Sequence, residues 1–396
     1  MSASDLLVPE GARLVHIGPY KTGSTALQSA LHQARPVLAD HGVRRAGDLR
    51  QETLAVLHAV DRIRPYHDAE RARRRWERLA DEIRTADEAR VVVSSEVFSH
   101  ALPTHIDRVV DALGPGVHVA VTLRPLVSIL PSQWQQYVLR TARLPYEEWL
   151  RAMFDADARG HYPRGSFWVP HRHDHLVARW AAAVGPERVT VVVLDSSDRR
   201  LLPRSFEQML GLPDGSLVPE EDQENRSLTA AEADLMQAYH RALAQMGIEP
   251  RVHYRLLNAG ADVYLKQRRP APDEPKPYTP QWALDAAATV GTEMARSIAG
   301  SGVRVVGDLG ILGERRTASP PPEVRLSPEA GAQLAAALAA ASHNLLQSAN
   351  RRSSAEIKLL RGAPVTTASL TATTSGVLVR ELARRARRRA AAVFGR

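Results

Sequence analysis

Cysteine is absent from this chain of 396 residues. The chain therefore has no disulfide framework and no thiolate chemistry. It also lacks an apolar run of about eighteen residues or more, so we expect no membrane-spanning helix. The first ten residues carry no basic segment, and their apolar run is too short for a secretory signal. These absences favour a cytoplasmic protein.

Positive charge is concentrated near the C-terminus. The net charge is +8, and residues 380–396 hold seven arginines against one glutamate, which leaves only +2 for the other 379 residues. The high pI therefore reports a tail rather than a basic folded surface, and we expect no nucleic-acid partner. As a helix, residues 377–396 would mix apolar side chains with arginines. This pattern fits either peripheral contact with an anionic membrane at its inner face or a solvated tail.

Residues 14–28 (LVHIGPYKTGSTALQ) predict a short strand, a glycine turn from Gly18 to Gly23 and then a helix that Ser24 or Thr25 would cap. Such a turn directs free backbone N–H groups into one concavity at a helix N-terminus, which suits phosphate or a similar oxyanion. Charge and hydroxyl donors come from Lys21, Thr22, Ser24 and Thr25. Unlike the Walker pattern, the lysine precedes the second glycine. An ordinary strand–turn–helix remains the alternative.

Two further predicted strands end in residues that can carry chemistry. Three valines at 91–93 predict a buried parallel strand, and Glu96 follows it, with His100 four residues later. A second strand over residues 117–123 leads to Arg124, and Ser132 follows eight residues later. Ligands of open α/β sheets bind at these carboxyl ends. For Arg124 and Glu96, surface or structural ion pairing is the alternative.

The segments Gly18-x-x-Lys21-Thr22-Gly23-Ser24-Thr25 and Arg124-Pro125-(x6)-Ser132 resemble the two cofactor motifs of sulfotransferases that use 3′-phosphoadenosine 5′-phosphosulfate (PAPS). The resemblance implies that the first loop holds the 5′-phosphosulfate and that Arg124 and Ser132 hold the 3′-phosphate. It implies Lys21 at the leaving oxygen, Glu96 as general base with His100 as the second candidate, and adenosine 3′,5′-bisphosphate (PAP) as product. No metal is expected. The family's Arg-Lys-Gly segment is not visible, and Arg226 or Lys266 could substitute for it.

The fold expected is a P-loop-type three-layer α/β/α domain with a central parallel sheet, over residues 12–310. Residues 311–350 would form a linker and an alanine-rich helix. Residues 351–396 would form a flexible tail that ends in an arginine-rich helix.

The expected reaction is transfer of a sulfuryl group to a hydroxyl of a carbohydrate, glycolipid or secondary metabolite. A P-loop small-molecule kinase and a non-catalytic membrane- or polyanion-binding adaptor are the alternatives. Three histidines within residues 171–175 suggest a metal site, but no further ligand cluster has a recognisable spacing, so polar contacts to substrate or to a helix start are preferred. The sequence predicts neither the acceptor nor the oligomeric state.

Overall fold

The structure is a computed structural model that describes residues 6–362, apart from 66, 141–143, 159, 161–165 and 219–225. The expected arginine-rich helix and most of the expected tail lie outside these residues. Contacts divide the described chain into two units. The first holds the residues up to Ala242 together with Pro270–Arg325, and the second holds Leu243–Arg269 and the residues from Leu326 onward.

The strands and helices follow one another in a βα alternation over the first two hundred residues. The strands are β1 Ala12–Ile17, β2 Val43–Arg45, β3 Arg90–Ser94, β4 Val117–Leu123, β5 Val189–Val193 and β6 Arg304–Val306. The helices are α1 Ser24–Gln33, α2 Arg35–Asp40, α3 Thr53–Ala59, α4 Ala69–Thr85, α5 Pro103–Leu113, α6 Leu126–Arg140, α7 Tyr146–Ala158, α8 Trp168–His171, α9 His173–Val184, α10 Leu201–Leu210, α11 Ala230–Gln245, α12 Pro250–Asn258, α13 Ala261–Lys266, α14 Gln281–Ala299 and α15 Pro328–Gly362. In the described part of the chain, short 3-10 helices span Glu96–His100, Pro186–Arg188 and Leu309–Gly313.

All six strands join one parallel sheet in the order β2-β3-β1-β4-β5-β6. β1 lies between β3 and β4, and its residue His16 is level with Ser94 of β3 and Ala120 of β4. The segments that follow these three strands therefore leave the same edge of the sheet side by side. The expected α/β class with a central parallel sheet flanked by helices is confirmed.

Both faces of the sheet are buried, which explains why its strands read as unbroken apolar runs. Alternate residues of β1, β3, β4 and β5 pack into a cluster with α5 and α9, while the residues between them pack against α1 and α10. Phe206 and Leu27 belong to the second cluster and are fully buried. Each such side chain contributes about 1.5–3 kcal/mol through the apolar area it removes from water. The turn that follows β1 thus rests on a three-layer core.

Two helix boundaries differ from those that the sequence predicts. α6 begins at Leu126 and contains Pro131, whereas the sequence predicts a helix only after Pro131. Since a proline lacks the N–H that would bond the carbonyl four residues earlier, α6 tolerates one missing hydrogen bond in its second turn. The charged stretch over residues 51–88 forms two helices, α3 and α4, rather than one.

The second unit is helical among its described residues. Asn344 on α15 donates from its amide to the carbonyl of Ala259 and to the phenol of Tyr264, at 3.1 and 3.2 Å. Gln333, three turns earlier on α15, donates to the Tyr264 carbonyl. The predicted alanine-rich helix forms as α15, and it continues to Gly362, past the boundary expected at residue 350. Within the described residues, no helix is long and apolar enough to cross a bilayer.

Gly291 provides a test of the close contact between α14 and the 3-10 turn Leu309–Gly313. A methyl group at Gly291 would overlap the backbone carbonyl of Leu312, and backbone atoms cannot move aside cheaply. We expect Gly291→Ala to lower the free energy of unfolding by about 1–3 kcal/mol. Gly331→Ala is the control, since nothing lies within 4 Å of its added methyl on α15, and alanine should favour that helix slightly. Urea unfolding followed by circular dichroism measures both, and equal stabilities for the two variants would contradict this packing.

Candidate functional site

The turn after β1 is shaped by close packing around Gly18. A methyl group on Gly18 would lie 2.6 Å from the Thr122 hydroxyl and 2.8 Å from the Thr22 hydroxyl, and it would overlap the Ser24 hydroxyl. Lys21 and Gly23 both adopt positive φ, at 73° and 82°. Positive φ is costly for lysine, so the surrounding packing must impose this shape on the turn.

Gly23, rather than Ser24 or Thr25, is the N-cap of α1, and no side chain caps this helix. The prediction that Ser24 or Thr25 caps it is wrong. Ser24 is already the first helical residue, and its buried hydroxyl donates to the Gly18 carbonyl at 3.4 Å. Because a glycine cap brings no acceptor of its own, the first N–H groups of α1 are not satisfied by a capping side chain and can face an anion.

A buried chain of hydrogen bonds fixes the turn to the sheet. Thr22 Oγ1 donates to the Pro19 carbonyl at 2.7 Å and lies 2.9 Å from Thr122 Oγ1. His16 joins Thr122 Oγ1 at 3.1 Å to Ser94 Oγ at 2.7 Å. Burial lowers the pKa of His16 to about 3, so this imidazole is neutral at physiological pH. The Thr22 hydroxyl therefore faces the protein, which leaves its backbone N–H as the group it can offer to a ligand.

Glu96 begins the 3-10 turn that follows β3, and Ser95 caps this turn through the Val97 N–H. The side-chain amide of Gln28 on α1 donates to Glu96 Oε2 at 3.0 Å. In turn, the Gln51 amide donates to Oε1 of Gln28 at 2.9 Å. Glu96 forms no ion pair with any residue that the structure describes. The alternative that it serves as ion-pair partner of Lys21 or Arg124 thus has no support here, and its carboxylate is oriented by a neutral amide instead.

His100 closes the same turn. It is buried, and its ring lies against that of Tyr20 with a centroid distance of 5.5 Å. Burial, assisted by the charges of Arg62, Arg179 and Arg64, lowers the pKa of His100 to about 3. An imidazole with this pKa is a weak base and is neutral at physiological pH.

Arg124 follows β4 directly and reaches back to the turn. Its guanidinium donates to the Lys21 carbonyl at 3.2 Å. Desolvation, and then the charge of Arg316, lowers the pKa of Arg124. Within the described part of the chain Arg124 meets no carboxylate, so its charge is available to an anionic ligand. Ser132 lies half-buried in the second turn of α6, and no hydrogen bond joins it to Arg124 or to the loop.

A cavity of about 440 Å³ opens beside the turn. Its walls are the first two turns of α1, Arg124 and the loop between β5 and α10. The floor is apolar and includes Ala26 and Leu27, whereas Asp195 and Asp198 bring carboxylates to the rim. Asp195 follows β5 directly, a position that from the sequence alone suggests a turn residue, and its carboxylate accepts the Ser197 N–H at 2.8 Å. The position of this loop after a fourth parallel strand is the signal that could have marked it as part of the site.

Arg316 is a second residue that the sequence did not indicate. It lies in the segment after the 3-10 turn Leu309–Gly313 and lines a cavity of about 370 Å³ together with Lys276, Tyr278 and Val127. Arg316 pairs with Glu314 at 2.8 Å, and its charge acts on Arg124. The two residues that the sequence offered as substitutes are placed differently. Arg226 forms two 2.7 Å contacts with buried Glu232, and Lys266 lies on α13 in the second unit.

The histidines of residues 171–175 do not form a metal cluster. His171 and His173 are fully buried, and their ring centroids lie 6.2 Å apart. Among the residues that the structure describes, no group of three or more histidine, aspartate or glutamate side chains could hold a metal ion. The sequence also suggests Asn225 and Ser227 as residues near the cofactor or the core; Asn225 lies outside the described residues, and Ser227 is exposed. The Thr-x-x-Glu pattern at Thr229 and Glu232 predicts a capping box, and the structure has it at the start of α11: each backbone N–H donates to the other residue's side chain.

No family model matches the sequence, and no curated protein matches it. Among solved structures, the chain is similar to the crystal structure of a sulfotransferase from Alicyclobacillus acidocaldarius. The identity is 17% and the TM-score 0.38, over 60% of this chain and 95% of that chain. With so distant a likeness, the function has to be argued from the residues of this chain.

The buried histidines predict how stability depends on pH. Burial lowers the pKa of His173 from the ordinary 6.5 to about 4. Below pH 6.5 the unfolded chain therefore binds one more proton at this residue than the folded chain does. The free energy of unfolding then falls by up to about 1.4 kcal/mol per pH unit for each such proton, down to about pH 4.

Urea unfolding between pH 7 and pH 4.5 tests this expectation. The slope of the unfolding free energy against pH reports how many more protons the unfolded chain binds. We expect this number to be smaller by close to one in the His173→Gln variant, whatever its stability at pH 7. An unchanged slope in the His173 variant would show that this imidazole is not buried in the neutral form.

Proposed function

We propose that this chain is a sulfotransferase that moves a sulfuryl group from PAPS to a hydroxyl of a carbohydrate, glycolipid or secondary metabolite. The proposal rests on one observation: Arg124 contacts the Lys21 turn at the centre of the sheet edge. Arg124 bonds the Lys21 carbonyl and pairs with no carboxylate among the described residues. A partly desolvated guanidinium beside an uncapped helix N-terminus suits a ligand with more than one anionic group.

The site fits a nucleotide with two separate anionic groups. The N–H groups at the start of α1 and the Lys21 ammonium would hold the 5′-phosphosulfate, while Arg124 and Ser132 would hold the 3′-phosphate. Arg316, although paired with Glu314, would add positive charge near that phosphate, since its charge already reaches Arg124. The 440 Å³ cavity between α1 and the β5–α10 loop has the apolar floor and the volume that a nucleoside needs.

In the proposed step, the acceptor oxygen bonds to sulfur while the bond from sulfur to the 5′-phosphate oxygen breaks. The acceptor proton passes to a Glu96 oxygen, and the departing group is adenosine 3′,5′-bisphosphate. Lys21 and the α1 N–H groups would stabilise the negative charge that gathers on the leaving phosphate. Gln28 holds the Glu96 carboxylate in one orientation and leaves its other oxygen available for the proton.

Binding of adenosine 3′,5′-bisphosphate tests the nucleotide assignment. We expect Lys21→Ala and Arg124→Ala each to weaken this binding about 10- to 100-fold, because each removes a charged hydrogen bond worth about 1.5–3 kcal/mol. Arg124→Lys should recover only part of the loss, since a lysine keeps the charge without the planar fork. Isothermal titration calorimetry measures all of these affinities. Arg74→Ala on the surface of α4, paired with Glu70, is the control, and absence of bisphosphate binding by the unaltered chain would overturn the assignment.

Glu96→Gln tests the proposed base. Glutamine can still accept the hydrogen bond from Gln28 but cannot take up a proton at neutral pH. We expect kcat to fall about 10²- to 10⁴-fold, while the affinity for adenosine 3′,5′-bisphosphate stays within about twofold. Turnover is followed by the mass increase of the acceptor, and Glu70→Gln on the exposed face of α4 is the control. Unchanged kcat in the Glu96 variant would show that another group is the general base.

A P-loop kinase shares the glycine turn and is the competing function. It would turn over ATP in a reaction that EDTA stops, whereas the proposed transfer should proceed in EDTA. Peripheral membrane contact through residues 377–396 and a cytoplasmic location stay predictions, because this segment lies outside the described residues.

A further inference from the structure

Hydrogen bonds between side chains connect the loop after β2 to the proposed base. Gln51, in the loop that precedes α3, donates from its amide to Oε1 of Gln28 at 2.9 Å. Gln28, on α1, donates from Nε2 to Oε2 of Glu96 at 3.0 Å and to the Ser94 carbonyl at 3.4 Å. The carboxylate that follows β3 is thus connected through α1 to a loop at the edge of the sheet, where β2 lies.

These contacts allow the Gln28 amide one orientation. In the reversed orientation, its oxygen would face two acceptors, the Glu96 carboxylate and the Ser94 carbonyl, and its NH2 group would face the NH2 group of Gln51. Gln28 is 1% exposed, so bulk water does not supply the missing partners. A buried amide without its partners is costly. Gln51 is therefore the donor that satisfies Oε1 of Gln28 while Nε2 of the same amide points at Glu96.

The first half of the loop that carries Gln51 is held by side chains from two other elements. Arg45, the last residue of β2, is buried and donates to the carbonyls of Gly47 and Arg50. From α4, Glu82 accepts the Gly47 N–H at 3.0 Å. A buried guanidinium needs hydrogen-bond partners, and both of these carbonyls belong to this loop. Its backbone is thus tied to β2 and to α4.

The second half of the loop is held by Glu52, which directly follows Gln51. Glu52 is the N-cap residue of α3, accepts the Leu49 N–H at 2.9 Å and lies 3.6 Å from the Arg75 guanidinium of α4. Gly47 adopts a φ of 83°, and a methyl group there would overlap the Glu52 side chain. Because the backbone on both sides of Gln51 is held in this way, the position of its amide is set by the fold.

We infer that Gln51 is a positioning residue for the general base, because it fixes the Gln28 amide that bonds one oxygen of Glu96. This inference rests on the proposed function, since Glu96 is the base of that reaction. A donor bonded to a carboxylate favours its ionised form, which is the form that can accept the proton of the acceptor hydroxyl. Gln51 itself touches neither Glu96 nor a reacting atom, so its effect passes through Gln28.

The elements packed around the Glu96 turn also carry titratable rings. They are His16 on β1, Tyr20 in the turn after it, His58 on α3, His100 in the same 3-10 turn and His171 on α8. Burial and then the Glu96 carboxylate raise the pKa of Tyr20 to about 12, and burial lowers the pKa of His100 to about 3, so both rings are neutral at physiological pH. Substitutions at Gln28 and Gln51 change none of these rings. A difference between such variants therefore reports the amide hydrogen bonds.

Carbon-13 NMR of the Glu96 carboxyl group tests the inference on the full chain, without nucleotide or acceptor. The protein is labelled at the glutamate carboxyl carbon, and the Glu96 signal is the one missing from Glu96→Gln. Gln51→Leu keeps the bulk of the side chain but removes the donor. We expect it to raise the midpoint of the Glu96 titration by about 0.5–1 pH unit, because the ionised carboxylate loses its fixed donor. Gln51→Glu, which places an acceptor against Oε1 of Gln28, should raise the midpoint at least as far.

A double variant decides whether Gln51 acts through Gln28. Gln28→Leu removes the donor to Glu96 outright and should raise the midpoint by about 1 pH unit or more. Adding Gln51→Leu to it should change the midpoint by no more than about 0.2 pH unit, because residues that act through one contact are not additive. Gln33→Leu, at an exposed position on the same helix, is the control and should leave the midpoint unchanged.

Two results would overturn the inference: an unchanged midpoint in both Gln51 variants, or shifts that add in the double variant. Either result is compatible with binding of adenosine 3′,5′-bisphosphate, which tests the proposed function separately. Failure of the bisphosphate to bind the unaltered chain defeats the proposed function instead, and with it the catalytic role of this hydrogen bond. The two failures are distinguishable because the titration requires no ligand.

Discussion

The buried imidazole of His16 is the interaction on which the arrangement of the site depends. One ring nitrogen meets Ser94 on β3 and the other meets Thr122 on β4, and Thr122 in turn meets the Thr22 hydroxyl inside the turn. Three adjacent strand ends and the glycine turn are thereby joined by hydrogen bonds. Because the imidazole is neutral and buried, the network adds no charge that an anion would have to overcome. This polar junction, which lies beneath the glycine turn, constrains the shape of the turn.

The charged side chains beside the turn are not part of this polar junction. The cation that meets the loop is Arg124, which reaches the turn from the next strand rather than from the loop's own helix. Its desolvation makes an uncompensated charge costly, so an anionic ligand at this guanidinium would also stabilise the folded protein. Glu96 is on the opposite neighbour of β1 and is held by an uncharged glutamine. The central position of β1 therefore keeps the carboxylate and the guanidinium on different sides of the loop, where they do not neutralise each other.

The sequence predicts those parts of the fold that depend on local pattern. Valine runs identify β3, β4 and β5 because both faces of a parallel sheet are apolar, and the Gly18–Gly23 turn is visible because positive φ and close packing require glycine. The sequence misses what depends on distant partners. His16 looks like one polar residue in an apolar strand until Ser94 of β3 and Thr122 of β4 are found bonded to its ring across the sheet. Arg316, almost two hundred residues after Arg124, has no local feature that links it to the site.

The same reasoning explains why the helix cap was predicted wrongly. Ser24 and Thr25 have the side chains that usually cap helices, and local preference alone favours them. In the folded chain, however, a capping hydroxyl would satisfy an N–H group that the loop instead presents to its concavity. Gly23 leaves that group available, and its positive φ directs the chain into α1. This departure from the local preference occurs at the start of α1, where a bound anion would accept the N–H hydrogen bonds that a capping side chain would otherwise accept. A stability rule is thus broken at the position where ligand binding gains from it, as expected of a functional site.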